Sequence, residues 1–351
     1  MDPATSAGRH FLEQGFRICH SALVAGSINF KSKIMKILVT GALGQIGSEL
    51  TAALKKIYGE KNIVTSDMRE GGVAEEFLPY EQLNVLDKSR LGEIVKKHDI
   101  KIIYHLAAIL SAAGEKNPNL CWDVNMTGLH NVLEVARELK VKQIICPSSI
   151  AVFGPETPRD NTPQETVILP KTMYGLTKAA GELLCEYYVA KFGIDVRGIR
   201  YPGLISYKTL PGGGTTDYAV EIFYEALEEK SYTCFLKAET TLPMMYMPDA
   251  IRGTIQLAET DFAKLKHHSN FNFAGISFSC SQLADEIKKH IFDFQISYAP
   301  DYRQTIADSW PRSIDDSAAR SEWGWKAEYD LEKMTADMIK NLRMKFENKM
   351  R

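Results

Sequence analysis

From Met35 onward the apolar positions follow two alternating rhythms. Short, nearly continuous apolar runs read as strands: MKILVTG, NIVTSD, IKIIYHLAA, VKQIICPSS and IDVRGIRYPG. Between them stand longer stretches whose apolar residues recur at three and four, such as QIGSELTAALKKIYG, with Ile46, Leu50, Ala53 and Leu54 on one helical face. KSRLGEIVKKHD, NLCWDVNMTGLHNVLEVAREL and TMYGLTKAAGELLCEYYVAKFG read the same way. Strands apolar on both faces, alternating with helices, predict an α/β fold with a doubly wound parallel sheet. After Pro202 the rhythm breaks. KTLPGGGTTDYAVEIFYEAL is a glycine-rich loop feeding a helix, and shorter elements with intervening prolines follow. We expect residues 35–205 to form the doubly wound domain and 206–351 mainly a smaller C-terminal lobe woven into it.

Composition narrows the function classes. The 351 residues are 45% hydrophobic and 25% charged, with a formal net charge of −2. No global field draws such a chain to nucleic acid. No apolar run reaches the ~18 residues of a membrane-spanning helix, so neither nucleic acid nor membrane is an expected partner. The cysteines, Cys19, Cys121, Cys146, Cys185, Cys234 and Cys280, include no C-x-x-C pair and read as buried free thiols. Residues 1–34 differ from the rest. They carry Arg9, Arg17, Lys31 and Lys33 against only Asp2 and Glu13, and Phe11, Leu12, Phe16 and Ile18 share a helical face. This leans toward a mitochondrial transit segment over an arm with no fold of its own, and so toward the mitochondrion over the cytoplasm.

In KILVTGALGQIGSEL, Gly41, Gly44 and Gly47 follow a strand and open a helix. A helix N-terminus offers free N–H groups and the positive end of a dipole, which suit a phosphate. A tight strand–helix turn is the alternative, but it needs only one glycine. The second strand ends in Asp67, twenty residues past Gly47, where an acid accepts from adenosine ribose hydroxyls. Together these predict a Rossmann-type dinucleotide site. An acid at this point disfavours a 2′-phosphate, so NAD is expected over NADP, with Arg69 the one nearby group of opposite preference.

Farther on, YGLTK sets Tyr174 and Lys178 four apart, on one helical face. A lysine ammonium beside a phenol favours the phenolate, and such a phenol can take a proton from an alcohol. Upstream, PSSIAVFG ends a strand with two candidate hydroxyls, Ser148 and Ser149.

The G-x-x-G-x-x-G spacing together with Y-x-x-x-K resembles the extended branch of the short-chain dehydrogenase/reductases, over essentially Met35 to the C-terminus. The resemblance implies Tyr174 as base, Ser149 as the hydroxyl orienting the substrate, Lys178 as tuner and ribose anchor, and Asn125 as support for the proton relay, with no metal required. It implies cofactor contacts at Gly41, Gly44, Gln45, Ile46, Gly47, Asp67 and Met68. Val85 and Leu86 follow Asn84, which stands where many relatives carry aspartate. Leu106, Ala107, Ala108, Asn125, Tyr174, Lys178, Tyr201 and Pro202 complete the set. Many extended members act on nucleotide sugars and carry an asparagine where RYPG places Gly203. Instead, LSAAGEKNP, RYPGLISYKTLPGGGTTDYA and DSWPRSIDDSAARSEWGW resemble the short-chain L-threonine 3-dehydrogenases. That implies L-threonine as substrate and Ser111, Ser149, Tyr174, Gly214, Thr215, Thr216 and Trp310 as its contacts. For GGGTT the alternative is a surface loop, and for Trp310 ordinary core packing. The rival activities are a nucleotide-sugar epimerase or dehydratase and a non-catalytic NAD-sensing relative. Apolar surplus on the helices Leu120–Leu139 and Met173–Phe192 implies a homodimer.

Overall fold

The computed structural model describes residues 35–70, 73–210 and 212–349. Residues 1–34, on which the targeting expectation falls, lie outside them. The first half alternates as its apolar rhythm predicts. β1 (Lys36–Thr40), α1 (Gln45–Tyr58) and β2 (Ile63–Asp67) come first. β3 (Tyr80–Gln82), α2 (Lys88–Lys97) and β4 (Ile100–His105) follow. Then α3 (Ser111–Lys116), α4 (Pro118–Trp122) and α5 (Gly128–Leu139) run on, the last two joined by a π-type turn over Asp123–Thr127. β5 (Gln143–Ile145) and β6 (Ser148–Ser149) precede α6 (Met173–Phe192). The Thr172 hydroxyl caps α6 by accepting from Gly175 N, and Gly193 ends the helix in the left-handed conformation.

β7 (Asp195–Arg197), β8 (Ile199–Tyr201) and β9 (Gly203–Ile205) follow in quick succession. The remainder holds α7 (Tyr218–Glu228), β10 (Ser231–Cys234), β11 (Thr241–Tyr246) and α8 (Met247–Glu259). After these come β12 (Phe271–Asn272), β13 (Ile276–Ser279), α9 (Cys280–Lys288) and β14 (Gln295–Tyr298). α10 (Arg303–Asp308), α11 (Ser317–Trp323) and α12 (Leu331–Lys349) end the chain.

The main sheet has six parallel strands in the order β3-β2-β1-β4-β5-β7. This is the doubly wound Rossmann order, and it reverses between β1 and β4, so the loops after these two strands part and leave a crevice at their carboxyl ends. Side chains alternate across the sheet. Leu38, Val64, Ile103 and Ile144 enter one core with Leu91 and Ile94 of α2 and Val132 and Leu133 of α5. Ile37, Val39, Ile102 and Tyr104 enter another with Leu50 and Leu54 of α1 and Ile251 and Ile255 of α8. A third core gathers α7, α9 and α12 around Phe223, Leu283 and Met338.

One expectation changes. IDVRGIRYPG is not one strand: it holds β7 and β8 and ends on the first residue of β9, and the three lie in different sheets. A side chain at Gly198 would lie 2.4 Å from Ser269 O and 2.6 Å from Cys146 O, so the backbone there is squeezed out of the main sheet. The small β12-β8-β6 sheet pairs strands from distant parts of the chain, all parallel. Cys121, Cys146, Cys185, Cys234 and Cys280 are free thiols as read, all buried except the half-buried Cys146; Cys19 lies outside the described residues. Among the described residues no helix is long and apolar enough to cross a membrane.

Candidate active site

The loop between β1 and α1 is a cradle. Gly41 has φ +68°, and a Cβ on it would lie 2.7 Å from Ala107 N of the neighbouring loop. At Gly47 a Cβ would lie 2.2 Å from Gly41 O, so helix and strand touch there as the spacing predicts. Gly44 is different. A Cβ would meet only Gly41 O, at 3.3 Å, so local packing alone asks less of it than an approaching ligand would. Gly44 is also the N-cap of α1 and brings no capping side chain, which leaves the first-turn N–H groups for an anion. Gln45 Nε2 is buried with no hydrogen-bond partner among the described residues. At the end of β2, Asp67 Oδ2 accepts from Leu43 N at 3.3 Å, which fixes the carboxylate beside the cradle. An uncapped helix, a bare glycine surface and a placed acid fit a dinucleotide.

On the floor of the crevice, His105 is fully buried, with Nδ1 2.9 Å from Thr40 Oγ1. Burial, with Lys178 adding to it, pulls its pKa down to about 3, so it is neutral. Tyr174 stands on the first turn of α6, and Lys178 Nζ lies 5.7 Å from its ring centre. Lys178 Nζ donates to Pro147 O at 2.9 Å, which ties α6 to the end of β5. The two serines part company. Ser148 Oγ donates to Glu182 Oε1 at 2.5 Å, and Glu182 is held by buried Arg200 at 2.8 Å. Ser149 Oγ accepts from Ala151 N at 3.2 Å and keeps its own proton for another partner.

Asn125 lies in the π-type turn, a geometry that re-aims one residue within a helix. Its Oδ1 accepts from Ile109 N at 2.8 Å, and its Nδ2 donates to Ile109 O and Thr177 Oγ1, both at 3.1 Å. It therefore fastens the loop after β4 to α6, one turn beyond Tyr174. At the far end Ser111 Oγ lies 3.3 Å from Thr215 Oγ1 and accepts from Thr215 N at 3.3 Å. Thr216 and the buried Trp310 complete that end.

One cleft is thus lined by Gly41, Gly44, Gln45, Ile46 and Gly47 at one end and by Ser111, Gly214, Thr215, Thr216 and Trp310 at the other. Ser149, Tyr174 and Lys178 lie between, with Leu106, Ala108, Tyr201 and Pro202. The Tyr201 hydroxyl is turned away onto Thr254. Ala107 and Asn125 stand behind this cleft, and Asp67, Met68, Val85 and Leu86 beyond its walled part. Asn131 Nδ2 donates to the Val85 and Leu86 carbonyls at 3.0 and 3.1 Å, and Asn84 Oδ1 accepts from Leu86 N, so all three are fixed by one another and by α5. The cleft also takes in Leu110, Ile150, Leu204 and Asp217, which our sequence reading did not assign. For Asp217 the available signal was an acid directly after GGGTT and before an apolar helix. A wider groove of about 840 Å³ between α1 and α8 holds none of these groups, so the chemistry belongs to the cleft.

A profile of the NAD dependent epimerase/dehydratase family matches residues 37–274. An uncharacterized epimerase/dehydratase of Staphylococcus saprophyticus is 49% identical over 307 residues, covering 87% of this chain and 96% of its own. A GalE-like L-threonine dehydrogenase from Cupriavidus necator, in its holo form, is 55% identical with a TM-score of 0.86, over 88% of this chain and 99% of that one. A monomeric L-threonine 3-dehydrogenase from a metagenome is 53% identical with a TM-score of 0.85, over the same 88% and 99%. The bacterial relative corrects the localisation. Staphylococci have no mitochondria, so the mitochondrial destination read from residues 1–34 does not stand.

Proposed function

Because the chain belongs to the NAD dependent epimerase/dehydratase family, with NAD as its cofactor, we propose that it is an L-threonine 3-dehydrogenase. It oxidises the β-hydroxyl of threonine to give 2-amino-3-oxobutyrate. NAD, when bound along the cradle, supplies the hydride acceptor. The chain's own residues do the rest. Tyr174 takes the hydroxyl proton at its phenol oxygen. Ser149 donates its remaining hydrogen to the same substrate oxygen and aims it at Tyr174. Lys178, anchored on Pro147 O, keeps a positive charge beside that phenol and reaches the ribose of the cofactor. Asn125 holds the loop after β4 against α6, so the relay keeps its geometry. Ser111, Gly214, Thr215 and Thr216 offer short donors to the carboxylate, and Trp310 closes over the methyl group.

The observation that carries the choice of a small substrate is at Gly203. A Cβ there would lie 2.4 Å from Met244 Sδ and 2.7 Å from Thr216 Cγ2. The space that a nucleotide-sugar enzyme gives to an asparagine is taken by the Met244 thioether and by the methyl group of Thr216, a threonine that faces the cleft. In this reading residues 35–205 carry the cofactor and 206–351 mainly the substrate lobe. The protein pairs through α4, α5 and α6, which leave Leu120, Trp122, Leu183 and Tyr187 exposed. Transfer of deuterium from L-[3-²H]threonine into the reduced cofactor tests the reaction. Reduction with the label still on carbon 3 would overturn it.

A further inference from the structure

A zwitterionic substrate makes two electrostatic demands, and the donors named above meet only one. They serve the carboxylate. The ammonium needs an acceptor, best an anion in a partly desolvated site. Among the described residues lining the cleft, Lys178 is the sole cation and Asp217 the sole anion. Lys178 stands on the tyrosine side. Asp217 stands three residues past Gly214, at the end where Ser111 meets Thr215.

The Asp217 carboxylate is divided in its duties. Oδ2 accepts from Gly213 N at 3.0 Å and from Gly214 N at 2.7 Å, which folds the glycine loop back over the cleft. Oδ1 lies where a Cβ on Gly214 would come within 2.6 Å of it, so a side chain at residue 214 would push the carboxylate from its place. No hydrogen bond among the described residues reaches Oδ1. Holding two N–H groups requires only a neutral amide oxygen. A carboxylate in that role, half-buried and with one oxygen free of protein hydrogen bonds among the described residues, has a charge and an acceptor left for a cation. We propose that Asp217 Oδ1 receives the substrate's ammonium group and selects an α-amino acid over the matching hydroxy acid. This rests on the threonine reading above.

The surroundings give the site a pH signature. Burial pushes the Asp217 carboxyl up to about 6, against the pull of the Gly214 and Gly213 N–H groups. Glu221 of α7 adds to the rise, and Arg303 of α10 opposes it. An ammonium beside Oδ1 favours the charged form, so affinity for the amino acid falls as pH drops through about 6 and the carboxylate is neutralised.

Calorimetric titration of the NADH-loaded enzyme reads binding without turnover, using L-threonine and (R)-3-hydroxybutyrate, which has the same carboxylate and alcohol and no amine. The wild type prefers threonine. Asp217→Asn keeps the volume and an oxygen for the two N–H groups; it weakens threonine about 10- to 100-fold, leaves the hydroxy acid bound as before or tighter, and flattens the pH dependence. Equal weakening of both ligands means that Asp217 only shapes the loop, and an unchanged preference means that the ammonium is held elsewhere; either overturns the proposal. A wild type that prefers threonine yet never reduces NAD with it would sink the dehydrogenase reading and leave Asp217 as an amino-acid selector. Reduction by threonine with the preference intact in Asp217→Asn would do the reverse.

Discussion

Replacing Tyr174 by phenylalanine removes one oxygen and leaves a ring that is only 9% exposed. Packing should survive and proton transfer should not. We expect a fall in kcat of about 10²–10⁴-fold with NAD affinity unchanged, checked by steady-state kinetics beside cofactor titration. More than roughly a tenth of wild-type turnover would assign the base elsewhere, against that expected loss. The neighbouring serines show how a single position is told from the next. The resemblance pointed to Ser149, with Ser148 the alternative; in the structure Ser148 is consumed by buried Glu182, which leaves Ser149 to face the cleft with a hydrogen to give. At the other end, Asp67 bonds the Leu43 and Arg69 backbones and lies 3.5 Å from Arg69 Nε. Asp67→Ala removes repulsion of a 2′-phosphate and releases Arg69 toward it. The kcat/KM ratio of NAD to NADP should therefore narrow, and an unchanged ratio would mean that the ribose is read by other groups.

At the scale of elements, five of the six strands of the main sheet and the cradle were legible because each rests on local pattern: period, glycine spacing, and an acid at a strand end; β3, three residues long at the sheet edge, was too short to show one. What was not legible depends on distant chain. Nothing near Gly198 announces that Ser269 O will press on it and split one apolar run into β7 and β8. Helical periodicity carried through Asp123–Thr127 and hid the π-type turn that sets Asn125 between Ile109 and Thr177. Asp217 escaped for the same reason, since its role exists only once the loop has folded back onto it. That loop carries a prediction. Gly213 has φ +100° and donates its N–H to Asp217, so a proline there is wrong in both backbone angle and donor. Gly213→Pro should raise the threonine KM and lower kcat while NAD affinity stays the same. Kinetics indistinguishable from wild type would make the loop a surface feature.

For the whole molecule, α6 alone exposes Leu183 at 74% and Tyr187 at 53%. Surface of that kind, continued by Leu120 and Trp122, is what a second copy of the chain would cover. Light scattering in dilute solution should return twice the chain mass, and Leu183→Lys should shift it toward the monomer. A strictly monomeric wild-type mass, like that of the monomeric metagenomic relative, would refute the pairing. All of this serves one cleft, in which a nucleotide cradle, a tyrosine–lysine pair and a ring of short donors meet at the carboxyl edge of the sheet. The most direct measurement is NADH absorbance after mixing the protein and NAD with L-threonine, and separately with a UDP-sugar. The account predicts a steady rise with L-threonine and none with the UDP-sugar. No rise with threonine, together with conversion of the UDP-sugar at constant absorbance, would contradict it.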